Sequence, residues 1–119
     1  MSLTIYHNPR CSKSRKTLEI IQEAGVEHEI VGYLDNPPSA ERILGLASLL
    51  GVPVRDLLRR NETEFKDAGD LPELSDDAAL AAWMSAHPRV IERPIVVDDE
   101  RARALIGRPP EGVAALFGP

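Results

Sequence analysis

The first 34 residues carry the feature that most limits the fold. Leu3-Thr4-Ile5-Tyr6 alternates its side chains as a strand does. His7-Asn8-Pro9-Arg10-Cys11-Ser12 follows, and Asn-Pro marks a turn. From Ser12 the spacing becomes helical, with Leu18, Ile21 and Gly25 at i, i+3 and i+7, and Gly25 is placed to end the helix. Glu27 to Leu34, with Ile30, Val31 and Tyr33, reads as a second strand. Two strands joined through a helix are not a hairpin; a crossover of this length suits parallel neighbours in one sheet.

After Asn36-Pro37-Pro38, Ser39 is placed to cap a helix whose Ile43, Leu46, Ala47 and Leu50 form one apolar face. Gly51-Val52-Pro53 breaks it, and a short helix is expected from Val54 to Arg59. Residues 60–74 are polar and read as loop or short irregular helix. Ser75 is expected to cap a further helix with Leu80, Trp83 and Met84 on one face, closed by His87-Pro88. Ile95-Val96-Val97 reads as a strand that pairs back through an acidic turn, Asp98-Asp99-Glu100, with Ala104-Leu105-Ile106. Pro110 opens a last helix with Val113, Leu116 and Phe117. The order βαβ, helices, ββα predicts an α/β domain with a small mixed sheet, thioredoxin-like. One domain over 1–119 is expected, with a helical insertion at about 36–87.

A net charge of −5 argues against nonspecific binding to nucleic acid or to an anionic membrane surface. No apolar run approaches the ~20 residues needed to span a bilayer, and no signal-peptide layout stands at the start. A cytoplasmic protein is expected. Two counts are unusual: one cysteine, and eleven Arg against three Lys. A single cysteine excludes an internal disulfide and any multi-cysteine metal site. No metal site is expected from three scattered histidines and one cysteine.

Cys11 falls between a strand and a helix, near the helix N-terminus, where unsatisfied N–H groups and the macrodipole favour negative charge. Arg10, Lys13, Arg15 and Lys16 add positive field. A lone cysteine is more often a small buried hydrophobe, but His, Asn, Pro, Arg, Ser and Lys are poor neighbours for a core residue. A free thiol of pKa ~8.5 is only about 3% ionised at pH 7, so a reactive sulfur needs such help. Ser12 and Ser14 offer hydroxyls to the sulfur or to a bound oxyanion. In Cys11-x-x-Ser14 no second cysteine can resolve an adduct, so an outside thiol is required. Arg59, Arg93 and Arg108 stand beside turns or element ends. Each alone is most often a solvated charge; together they could hold an oxyanion through planar guanidinium forks. Spacing lacks the glycines of a P-loop and the Cys-x5-Arg of cysteine phosphatases. His28, His87 and Trp83 read as a strand-surface, a helix-end and a packing residue, and Asp98-Asp99-Glu100 as a solvated turn.

Five blocks, in order, resemble the glutaredoxin-coupled arsenate reductases: residues 5–15, Tyr33-Leu34 with Pro37-Pro38, residues 55–59, residues 92–97 and residues 106–111. The resemblance implies a thioredoxin-like fold and gives matching residues their roles. Cys11 would attack arsenate. His7 and Ser14 would keep it ionised. Arg59, Arg93 and Arg108 would hold the oxyanion and its adducts, and Pro94 would be the cis-proline beside the cysteine. Glutathione would be the co-substrate, with no bound cofactor, and glutaredoxin the partner that recycles the mixed disulfide, leaving arsenite. A monomer is expected. Two departures stand out: a short C-terminus, and Arg10 and Lys13 within a loop where well-known arsenate reductases have small residues at some places. Two other readings remain open. One is a regulator of the Spx type, although Ser14 replaces the second cysteine of its switch. The other is a monothiol glutaredoxin-like protein acting on glutathione mixed disulfides.

Overall fold

A computed structural model describes residues 2–117 of the chain. Strand β1 (Ser2–His7) runs into helix α1 (Ser12–Glu23), which returns the chain to strand β2 (Glu27–Gly32). β1 and β2 pair in parallel, Ile5 opposite Ile30. Gly25, at φ 69°, takes the left-handed conformation that lets the chain leave α1 and turn back. Strands β3 (Ile95–Asp98) and β4 (Arg103–Ile106) complete a four-stranded mixed sheet in the order β2-β1-β3-β4, with β1/β3 and β3/β4 antiparallel. The fold is thioredoxin-like.

The alternation of β1 is real: Leu3 and Ile5 point into a fully buried cluster with Val96 of β3 and Ile21 of α1. Val113 and Leu116 join them from a 3-10 helix, Pro110–Leu116. Proline at its start supplies a fixed φ without losing a hydrogen bond. β2 is the outer strand, and its exposed Glu27 and Glu29 place charge on an edge open to pairing.

The chain divides into two compact units; this sheet with α1 and the 3-10 helix is one, and Leu34–Glu92 is the other. The second unit is helical. Helix α2 (Ala40–Leu50) starts at Ser39, whose side chain accepts the Arg42 N–H, and stops at Gly51, φ 70°. A 3-10 turn (Val54–Leu57), a single turn of α3 (Thr63–Lys66), helix α4 (Asp77–Ala86) and a second 3-10 turn (Pro88–Val90) follow. Ile43, Leu46, Leu57, Leu80 and Met84 are buried together as its core. Trp83 stacks on His87 with ring centroids 4.3 Å apart.

Two expectations are corrected. Asp76, not Ser75, caps α4: its Oδ1 accepts the Ala79 N–H at 3.1 Å, because the helix begins one residue later than expected. Asp98 does not sit in a solvated turn. It is the fully buried last residue of β3, accepts the Arg101 N–H at 3.2 Å, and lies 3.8 and 3.7 Å from the Arg101 and Arg103 guanidinium groups. A hairpin that doubles back so tightly brings its own cations over the carboxylate.

Where β4 ends, the backbone passes very close to α1. A Cβ on Gly107 would stand 2.5 Å from Thr17 Oγ1, 3.1 Å from Thr17 Cγ2 and 2.8 Å from Pro94 Cγ. The Gly107 N–H donates to the Pro94 carbonyl at 2.9 Å. Gly107→Ala is expected to cost about 1–3 kcal/mol by overpacking, read as a lowered urea midpoint. Adding Thr17→Ala removes two of the three colliding atoms and should return part of that loss, so the two substitutions are non-additive.

Candidate active site

Cys11 is the N-cap of α1, with extended backbone (φ −95°, ψ 121°). Its approach is held by Asn8, which is buried. The Asn8 carbonyl accepts the Cys11 N–H, and its Oδ1 accepts the Arg10 N–H, both at 3.0 Å. Asparagine suits this place because its side-chain oxygen reaches an N–H two residues on. The Asn8 N–H donates to Ser14 Oγ at 3.0 Å. Arg15 Nη1 donates back to the Pro9 carbonyl at 2.8 Å, closing the loop from the helix side.

Ser14 is fully buried, and its Oγ lies 2.6 Å from His7 Nδ1. The hydroxyl offered to the sulfur or an oxyanion in the sequence reading is therefore committed to His7 and Asn8. It is the backbone N–H of Ser14, together with that of Lys13, that acts on Cys11. Sequence reasoning treated Asn8 only as part of a turn; the Asn-Pro pair was the signal available for its role.

Sheet register brings the arginines. Tyr6 of β1 is opposite Ile95 of β3, which is opposite Ile106 of β4. The end of β1, the start of β3 and the end of β4 therefore lie at one end of the sheet. Arg93 and Arg108 flank that end, each preceding a proline across a cis peptide bond, Arg93–Pro94 and Arg108–Pro109. Arg108 Nε donates to the Arg93 carbonyl at 2.9 Å, which fixes the guanidinium plane, and Nη2 reaches Cys11 Sγ at 3.8 Å. Arg93 also hydrogen-bonds the sulfur. Cys11, Arg93 and Arg108 are thus brought together, with His7, Ser14 and Pro94 around them. Arg59 belongs to the helical unit, where its N–H donates to the Val90 carbonyl at 2.6 Å and its Nε lies 3.4 Å from Glu62 Oε1.

Partial burial pushes the Cys11 thiol up. The N–H groups of Ser14 and Lys13, the Arg108 charge and the Arg93 hydrogen bond outweigh it and hold its pKa below the ordinary value. His7 is also lowered, first by burial and then by the Arg15 charge, which favours a neutral imidazole beside Ser14. A nucleophilic sulfur with two guanidinium groups at hand can attack an oxyanion while its oxygens are held. Among the described residues, no group of three or more His, Cys, Asp or Glu side chains could hold a metal ion, and no helix is long and apolar enough to cross a membrane.

The model of the ArsC family matches residues 6–116. The chain belongs to the ArsC family. It is 40% identical over 117 residues to an arsenate reductase of Neisseria meningitidis serogroup A, covering 97% of each chain. It is 44% identical over 115 residues to the uncharacterized Escherichia coli protein YfgD, covering 96% of this chain and 95% of that one. The solved structure of an arsenate reductase from Vibrio cholerae superimposes with a TM-score of 0.85 at 41% identity, covering 98% of each chain. In this ArsC-family chain the sulfur and both of its arginines lie within the matched residues.

Two pH effects follow. Arg108→Gln should raise the midpoint of Cys11 alkylation against pH; an unmoved midpoint would show that the guanidinium does not act on the sulfur. Both lowered pKa values also give acid-sensitive stability. The unfolded chain takes up protons first: the thiol as pH falls through its ordinary range, the imidazole as pH falls below ~6.5. The stability present above those values is lost as pH falls through the folded-state ones. His7→Gln should therefore flatten the decline in urea stability below about pH 6.5.

Proposed function

We propose that this ArsC-family chain is an arsenate reductase that works with one resident cysteine. The observation that carries this reading is Cys11 Sγ standing 3.8 Å from Arg108 Nη2, with Arg93 hydrogen-bonded to the same atom. The relatives named arsenate reductase over nearly the whole chain support it.

Arg93 and Arg108 take the oxygens of arsenate as forks of N–H donors. Cys11 thiolate attacks dihydrogen arsenate; an S–As bond forms, the As–O bond to one hydroxyl breaks, and that hydroxyl leaves as water with the proton of the second hydroxyl, while the arginines hold the remaining oxygens. His7, through Ser14, keeps the loop and the α1 amides aimed at the sulfur. Glutathione thiolate then attacks Cys11 Sγ. The S–As bond breaks, its electron pair stays on arsenic, and As(V) becomes As(III), released as arsenite. Cys11 is left as a mixed disulfide with glutathione. A glutaredoxin thiol attacks the glutathione sulfur, so that Cys11 departs as thiolate. With one cysteine in the chain, this second exchange has no internal substitute. In this reading glutathione is a co-substrate, no cofactor is bound, and the chain acts as a monomer in the reducing cytoplasm.

Arsenate reduction with glutathione and glutaredoxin tests the reading. Cys11→Ser should abolish turnover, since a hydroxyl is not ionised near neutral pH. Arg93→Lys keeps the charge and loses the fork. It should lower kcat/KM for arsenate by roughly tenfold or more, the loss of one hydrogen bond to a charged group at about 1.5–3 kcal/mol. Full activity of Cys11→Ser would overturn the mechanism.

A further inference from the structure

The basic residues around Cys11 are not all engaged in the same way. Arg15 is spent on the Pro9 carbonyl. Lys16 lies 3.9 Å from Glu19. Arg93 and Arg108 act on the sulfur. Arg10 and Lys13 are different. Both are exposed, and only their backbone groups are hydrogen-bonded: the Arg10 N–H to Asn8 Oδ1, the Lys13 carbonyl to Thr17 Oγ1. Among the described residues no acidic group pairs with either, and the first turn of α1 contains no Asp or Glu. This is a local excess of positive charge in a chain of net charge −5.

We propose that the exposed cations of Arg10 and Lys13, which flank Cys11, dock the carboxylates of the reducing thiol, an anionic thiol of the glutathione type. The proposal rests on Cys11 being the nucleophile. The chemistry of that role requires an outside thiol to come within bonding distance of Sγ. A thiol carrying two carboxylates and one ammonium is net negative, and its carboxylates complement two cations without partners. Arg10 precedes the cysteine and Lys13 follows it by two residues, so the pair brackets the sulfur along the chain. The guanidinium groups of Arg93 and Arg108 lie at the sulfur itself, where the oxyanion is held, which leaves Arg10 and Lys13 to select the thiol.

Thiol–disulfide exchange reads this without arsenate. Cys11 thiolate attacks one sulfur of a disulfide; a new S–S bond forms, the old one breaks, and its electron pair leaves with the other sulfur as thiolate. Rates of this exchange would be measured with glutathione disulfide and with uncharged hydroxyethyl disulfide, and their ratio taken. Any change in thiolate fraction cancels in the ratio. Arg10→Ser with Lys13→Ser should lower the ratio about tenfold, the scale of local electrostatic steering. In the unaltered protein, raising salt from low to near-molar should lower it likewise, since screening shortens to a few ångströms. That second measurement stands even if the double variant folds poorly. A ratio unmoved by the double substitution, or by salt, would overturn the proposal. So would a ratio that falls only with Arg108→Gln, since the attraction would then belong to the oxyanion arginines. Loss of arsenate reduction with the ratio intact and responsive would count against the proposed reaction and leave this docking site standing.

Discussion

A half-buried sulfur at the start of a helix, faced by two guanidinium groups from the far end of the chain, is the interaction on which the site depends. Burial alone would keep Cys11 a neutral thiol. Backbone N–H groups of Lys13 and Ser14 reverse part of that, and Arg108 and Arg93 supply the rest. Arg108 is effective because its plane is fixed: with Nε tied to the Arg93 carbonyl, Nη2 has one direction left, toward Sγ. A lysine there would bring charge without direction. In the proposed reaction the same donors would also hold the oxyanion, so that thiolate and substrate would share one set of charges.

Sheet order explains why residues so distant in sequence meet. β1 lies between β2 and β3. Because β3 runs antiparallel to β1, and β4 antiparallel to β3, the exit of β1, the entry of β3 and the exit of β4 share one end. The loop to Cys11, Arg93-Pro94 and Gly107-Arg108 are those three segments. Close packing then sets the depth: Thr17 of α1 and Pro94 leave no room for a side chain at Gly107, so Arg108 begins from a backbone pressed against the helix that carries the cysteine.

Much of this was legible in the sequence because it is local. Gly25, Ser39 and Gly51 mark helix ends by backbone conformation and capping, which need no tertiary information. The apolar periods of β1, α2 and α4 point to residues that are buried, except Leu50 at the end of α2, which is only partly buried. What was not legible depends on contacts between distant segments. Asp98 looks like a turn residue beside Asp99 and Glu100 until the hairpin lays Arg101 and Arg103 over it. Gly107 looks like an ordinary turn glycine until α1 is placed against it. The α4 cap moved from Ser75 to Asp76 because both residue types cap well and only the backbone chooses between them. Arg93 and Arg108 were singled out for their prolines and element ends, and sheet register is what joins them. Arg59 carries the same local signature but belongs to the helical unit, and it shares no strand register with the other two.

Ser14 shows how the single-cysteine character of the chain is tied to the loop. A cysteine at position 14 would make the dithiol pair of many thioredoxin-like proteins. Here the Oγ of Ser14 accepts the Asn8 N–H and pairs with His7 Nδ1 at 2.6 Å, all within buried surroundings. Sulfur is a weaker donor and acceptor than oxygen and sits at longer distances. Replacing that oxygen would leave a buried imidazole nitrogen and a buried amide poorly paired, each at a cost of about 1–3 kcal/mol. The amide ladder that holds Asn8 against Arg10 and Cys11 would loosen with them. The position where a second, resolving cysteine would stand is thus held by an oxygen that the buried hydrogen bonds of the thiolate loop use.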